Sequence, residues 1–311
     1  MPNNTYILCP GQGAQVVGMG KDFYNAFAAA RVIFDQANDV LGQDLTSLCF
    51  AGPDEQLQQT NVSQPAIYVT SIAAYHAAVE ANLIDPAVVT AYAGLSLGEY
   101  TALHLAGVFT FEQGLKLVQA RGSYMQEAAV ATPSGMVSLM GADEAAVQKL
   151  CDEAAAGEVL VPANYNSPGQ IVVSGAIAAC ERVTKLATDA GFKAIPLKVA
   201  GAFHSPLMQI GADRMGAELE KVPFQQPTTV VYSNVTAQPH TDAASMKKLL
   251  VDQIVKPVRW EQTMQTLVAA GEARYIELAP GRVLTGLLKK INRRLPVESL
   301  ATIEGLTGVK V

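Results

Sequence analysis

Apolar residues fall along this chain in short runs broken by glycine, proline and polar clusters, the rhythm of alternating strands and helices. Residues 6–9 form an apolar run that stops at Pro10-Gly11, which predicts a buried strand feeding the glycine-rich loop GQGAQ. A helix is predicted through residues 24–34. A second is predicted over 64–81, where QPAIYVTSIAAYHAAVEA is apolar nearly all round, so it is expected to be buried. From residue 88 the segment VVTAYAGLSLGEYTALHLAGV reads as strand, tight turn over 94–98, then a helix starting near Glu99. Glycines on both sides of Ser96 relieve crowding at a sharp turn, and the helix behind it supplies unpaired N–H groups.

The middle of the chain changes period. Strand (136–140), helix (143–155) and strand (159–163) are followed by strand (171–174), helix (176–190) and strand (193–197), the βαββαβ order of ferredoxin-like domains. The small-residue turns PSG at 133–135 and AGA at 200–202 read as hinges around it. The expectation is an α/β protein in two parts: a larger domain from 1–132 and 200–311, and an inserted small domain over 133–199. After the insertion a helix, a strand (228–233), a helix, a strand (275–278) and a last helix are predicted.

Composition supports this class. A chain of 311 residues that is 50% hydrophobic and 16% charged can bury a sizeable core, and few aromatics favour α/β over an all-β sandwich. A net charge of −6 leaves no pervasive positive field for nucleic acid or anionic membrane. No run approaches the roughly 20 apolar residues that span a bilayer, and the N-terminus lacks an export signal, so a cytoplasmic location is expected. Cys9, Cys49, Cys151 and Cys180 are scattered without CxxC or Cys/His ligand spacing, which argues against both disulfide and zinc frameworks.

The segment GLSLG fits GxSxG, in which a strand-to-helix turn exposes a serine beside main-chain N–H groups. A serine hydroxyl needs a base within reach. Of the four histidines, His76 and His104 lie in apolar helical stretches and read as ordinary helix residues. His240, after Gln238-Pro239, reads as a solvated turn residue. His204, in GAFHSPLM at the second hinge, is the candidate base; its bland alternative is a loop histidine satisfied by backbone. Arg121, in LKLVQARGSYMQEAA, has two readings that spacing leaves open. One is structural pairing with Glu127 or helix C-terminal carbonyls; the other is capture of a substrate carboxylate by the planar guanidinium.

Taken in order, PGQGAQ (10–15), GLSLGEY (94–100), ARGSYMQ (120–126), NYNSPGQIVVSG (164–175), GAFHSPLM (201–208), PVRW (257–260) and ELAPGRVLTGL (277–287) match a family from end to end. The chain resembles the malonyl-CoA:acyl carrier protein transacylases, the stand-alone relatives of polyketide and fatty-acid synthase acyltransferase domains. The resemblance implies an α/β-hydrolase-like large domain with a ferredoxin-like insertion. It implies Ser96 as nucleophile and His204 as base, oriented by the backbone carbonyl of Gln253, with the N–H groups of Gln12 and Leu97 as oxyanion hole. It implies Arg121 as the group that holds the malonyl carboxylate, with Met125, Asn164, Phe203 and Leu95 as further substrate-binding positions. Phe203 should crowd an α-methyl branch. Leu95 departs from the histidine the family usually carries before its nucleophile, which puts kinetics in question and leaves the reaction the same.

The resemblance therefore implies a ping-pong transfer from malonyl-CoA to an acyl carrier protein, without metal or bound cofactor; separately, a free-standing monomer is expected. An acidic carrier needs local positive charge. Lys289, Lys290, Arg293 and Arg294 form one candidate cluster, Lys193 and Lys198 another; an ordinary solvated helix face is the competing reading of the first. Two other function classes stay open. One is an esterase or thioesterase using the same elbow, disfavoured because more than 100 residues follow His204; the other is a binding scaffold without catalysis.

Overall fold

The computed structural model describes residues 4–307. Among them, nine strands follow the chain: β1 (Asn4–Cys9), β2 (Ala91–Gly94), β3 (Ser134–Met140), β4 (Leu160–Ser167), β5 (Gln170–Ala176), β6 (Lys193–Pro196), β7 (Val230–Val231), β8 (Ala273–Leu278) and β9 (Val297–Leu300). Side chains of β1 alternate between two cores. Ile7 and Cys9 join Tyr92, Ile276 and Leu278, whereas Tyr6 and Leu8 join Trp260, Met264 and Tyr275. A strand covered on both faces suits the middle of a parallel sheet. There β1 lies, in a five-stranded sheet of order β7-β2-β1-β8-β9 whose pairings are all parallel.

The second sheet is antiparallel, of order β4-β5-β3-β6, with α8 (Glu144–Ala155) and α9 (Ile177–Asp189) packed on it. That is the ferredoxin-like arrangement of a βαββαβ unit. Its core is its own: Val137, Leu139, Val147, Leu150, Ile171, Val173 and Val183. It is joined to the larger part where Val258 bridges β4, with Tyr165 N–H donating to the Val258 carbonyl (2.9 Å) and Val258 N–H to the Ala163 carbonyl (2.8 Å).

The helix predicted over 24–34 is two helices, α1 (Lys21–Ala26) and α2 (Ala28–Leu41), because Phe27 between them is extended. Two short ones come next, α3 (Leu45–Ala51) and α4 (Asp54–Leu57). The apolar helix α5 (Thr60–Glu80) starts four residues before its predicted first residue, with Pro65 inside it. Every residue from 63 to 75 is buried. After it stand α6 (Gly98–Leu105) and α7 (Phe111–Ala131), the latter opened by a reciprocal Thr110/Gln113 capping box. Beyond the small sheet come α10 (Gln209–Glu220), α11 (Ala243–Val255), α12 (Trp260–Ala269), α13 (Val283–Ile291) and α14 (Ile303–Thr307). The single helix predicted between the strands at 228–233 and 275–278 is two, α11 and α12, and Pro257 lies in the break. The sequence pattern predicts neither β9 nor α14. β9 is four residues long and only Leu300 in it is buried, too little apolar pattern to read.

Candidate active site

Parallel pairing of β1 with β2 matches Cys9 to Gly94, so the GQG loop and the turn around Ser96 leave the sheet side by side at its C-terminal edge. The approach is close. A Cβ on Gly94 would overlap the main chain of Gly98, one on Gly98 the carbonyl of Cys9, and one on Gly11 the carbonyl of Leu95. Ser96 sits at φ +53°, a left-handed conformation that costs a non-glycine residue about 1–2 kcal/mol. Hydrogen bonds hold it there: Ser96 N–H donates to Asn234 Oδ1 (2.6 Å), and the Ser96 carbonyl accepts from Gln253 Nε2 (3.0 Å).

His204 also has a left-handed backbone, at φ +59°. Its turn is clamped by serines: Ser174 Oγ donates to the Phe203 carbonyl (2.7 Å), Ser205 Oγ to the Ala202 carbonyl (2.6 Å), and Ala202 N–H donates to Ser134 Oγ (3.0 Å). The clamp sets the imidazole between two partners, with Nδ1 2.6 Å from the Gln253 carbonyl and Nε2 2.8 Å from Ser96 Oγ. A carbonyl only accepts, so Nδ1 carries the proton and Nε2 is the acceptor for the serine hydroxyl. Burial, and then the charge of Arg121, lower the His204 pKa to about 4, with the Gln253 carbonyl acting the other way. The imidazole is therefore neutral at pH 7, the form that accepts a proton.

Arg121, on α7, is 1% exposed. Its Nη1 donates to Gln64 Oε1 (2.7 Å) and its Nη2 to Ser96 Oγ (3.0 Å) and Gln253 Oε1 (2.9 Å), while Tyr100 offers its ring at 5.5 Å. All of these hydrogen-bond partners are neutral, and Nε has none among the described residues. Glu127, the structural partner that the sequence offered, pairs with Arg214 instead. A buried guanidinium held by neutral acceptors is costly, and an incoming carboxylate relieves the cost.

These groups open on a cleft of about 280 Å³. Gln12, Leu95, Ser96, Arg121, Met125, Asn164, Phe203 and His204 line it; Leu97 and Gln253 do not. The Leu97 side chain is fully buried and Gln253 lies behind Arg121 and Ser96. Neither the Gln12 nor the Leu97 N–H donates to another of the described residues. Among the described residues no cluster of three His, Cys, Asp or Glu side chains is placed to hold a metal ion, and the four cysteines are free and buried.

One expectation fails outright. His240 is not solvated: its side chain is fully buried, with Nε2 2.7 Å from Glu99 Oε1. The polar sequence around it says nothing about what lies beneath. The Tyr232–Pro239 bridge and the His240 N–H to Val231 carbonyl bond (2.8 Å) fold this turn over the elbow helix. Sequence reasoning also passes over Gln64, Asn234 and Glu99. For Glu99 a signal exists, since an acid inside a segment as apolar as AYAGLSLGEYTALHLAG must be buried and therefore paired. Gln64 and Asn234 carry no such local mark.

The acyl transferase domain family matches residues 5–306. The malonyl CoA-acyl carrier protein transacylase of Bacillus subtilis (strain 168) is 40% identical over 290 residues, 93% of this chain and 90% of that protein. Among solved structures, the malonyl CoA-acyl carrier protein transacylase from Coxiella burnetii superposes with a TM-score of 0.95 at 35% identity, covering 99% of this chain and 97% of that one. Also similar is a type II PKS acyl-carrier protein in complex with its malonyl-transacylase (TM-score 0.93, 37% identity, 97% of each chain). With likeness extending over nearly its whole length, this chain belongs to the acyl transferase domain family, among the malonyl CoA-acyl carrier protein transacylases.

Proposed function

We propose that this protein moves a malonyl group from malonyl-CoA to the phosphopantetheine thiol of an acyl carrier protein, through an ester on Ser96. The observation that carries the reading is Arg121: a buried cation with neutral partners, 3.0 Å from the hydroxyl of a serine that is itself bonded to a neutral histidine. An acyl group ending in a carboxylate satisfies that cation while its thioester meets Ser96. An acetyl group leaves it unpaired.

Ser96 Oγ attacks the thioester carbonyl carbon as its proton passes to His204 Nε2. The oxyanion is held by the Gln12 and Leu97 N–H groups, donors of a kind worth roughly 10²–10³ in rate each. Collapse breaks the C–S bond, and coenzyme A leaves with the proton from His204. The carrier thiol then gives its proton to His204 and attacks the ester; Ser96 recovers its hydrogen as the new thioester forms. Side chains and main-chain amides supply all of this chemistry, with no bound cofactor required. In this reading residues 1–132 and 200–311 form the catalytic unit, and 133–199 is an insertion that supplies Asn164 to one wall of the cleft. Lys198 and Val283, in the first turn of α13, line the cleft, and Lys289 and Lys290 in the last turn of α13 add positive charge suited to an acidic carrier.

The test is intact-mass analysis of protein mixed with malonyl-CoA, with and without carrier protein. A malonyl adduct absent in Ser96→Ala and passed to the carrier is expected. Rapid release of free malonate with no loaded carrier refutes the transferase reading in favour of a hydrolase, and no adduct at all favours a binding scaffold.

A further inference from the structure

Behind Ser96 and Arg121 lies a second layer of buried polar groups that the proposed reaction does not use. At its centre is Glu99, in the first turn of α6, with no exposed surface. Its Oε2 accepts from Gln253 Nε2 (2.7 Å) and from the Asn234 N–H (3.0 Å), and its Oε1 lies 2.7 Å from His240 Nε2.

The geometry of Gln253 makes this carboxylate consequential. An amide nitrogen has two hydrogens. In Gln253 one goes to Glu99 and the other to the Ser96 carbonyl (3.0 Å), which leaves Oε1 to face Arg121 Nη2 (2.9 Å). Turning the amide over would set its oxygen against the Glu99 carboxylate and the Ser96 carbonyl, and its NH₂ against the guanidinium. Glu99 and Arg121, of opposite charge at the two ends of one amide, therefore enforce a single orientation. Gln64 and Ser96 hold the remaining guanidinium hydrogens that have partners, so the Gln253 oxygen is one of three points that aim the fork.

We infer that Glu99 is a positioning residue for the carboxylate site: acting through the Gln253 amide, it aims Arg121 and so sets the preference for an acyl group bearing a free carboxylate. The inference rests on the malonyl-transfer reading. Its second branch, through Asn234 to the Ser96 N–H, bears on the nucleophile and so on every acyl group alike. The two branches separate by experiment.

The readout is kcat/KM for acylation by malonyl-CoA and by acetyl-CoA, measured by intact mass. Glu99→Leu, which removes the acceptor, should lower the malonyl-over-acetyl ratio by at least about 10-fold, mainly through a higher KM for malonyl-CoA. Glu99→Gln, which keeps an acceptor oxygen for Gln253, should stay close to the wild-type ratio. A Glu99→Leu protein that slows both acyl groups equally and keeps the ratio overturns the inference. If Glu99→Leu does not fold, Gln253→Met carries the test, because it keeps the main-chain carbonyl facing His204 and removes the amide. The same loss of preference is expected, and an unchanged ratio overturns the role. A wild-type protein that accepts no malonyl group would overturn the reading of the site and this inference together; a wild type that does, beside variants that keep its preference, removes Glu99 alone.

Discussion

Lowering the pH should leave the nucleophile working far below the range where an ordinary imidazole fails. The perturbation is protonation of His204, whose pKa burial and the neighbouring Arg121 charge bring to about 4. Because the shift is downward, the neutral form persists as pH falls and is lost only through pH 4. At pH 5.5 about 97% of a group with pKa 4 is neutral, against about 9% for one at the ordinary 6.5. Between pH 7.5 and 5.5 the rate of a reaction that needs neutral His204 should therefore change by only a few per cent, where an unperturbed histidine would cost about 10-fold. The assay is modification of Ser96 by a neutral sulfonyl fluoride with detection by intact mass, since an uncharged reagent brings no titrating group of its own. A 10-fold fall centred near pH 6.5 would refute the reasoning. Arg121→Gln removes the second of the two causes, so its inflection should move upward while staying below 6.5, because burial is the larger cause.

Three shorter expectations come from the same geometry. Arg121→Ala should slow acylation by malonyl-CoA by about 10- to 100-fold, the worth of a hydrogen bond to a charged group, and leave acetyl-CoA nearly unaffected; equal loss with both thioesters, measured by initial rates, would take the carboxylate role from it. Phe203→Ser opens the cleft wall beside His204 and should raise methylmalonyl loading by about 10-fold or more, the scale of one pocket-sized methyl group; an unchanged ratio in a mixed-substrate mass assay would place the branch discrimination elsewhere. Gly98→Ala drives a methyl into the Cys9 carbonyl and should destabilise by about 1–3 kcal/mol or prevent folding, read by urea denaturation. Wild-type stability there would mean the β1–β2 edge yields more easily than its packing implies.

Much of this architecture is written locally. The βαββαβ order of the small sheet comes from runs whose period switches between two and 3.6, and every run but β6 buries a face in one core, so no distant partner is needed to read it. The GLSLG turn is equally local, because its glycines are required by contacts within a few residues and with the adjoining strand. Long-range pairing decided the rest. Nothing near His204 in the chain says that it meets Ser96, which lies 108 residues earlier, and that meeting depends on serines of the small sheet clamping the hinge. Arg121 is ambiguous in sequence because a guanidinium on a helix has acceptors on both sides; only the packing of α10 against α7 gives Glu127 to Arg214, while α5 and α11 bring Gln64 and Gln253 to Arg121 beside the serine. His240 shows the limit most plainly. Its neighbours are polar, and its burial against Glu99 comes from a turn folded over an element 141 positions away. Hydrophobic period and steric demand act over a few residues and are legible in the chain, whereas the partners of buried polar groups are chosen by whichever segments the finished core brings together.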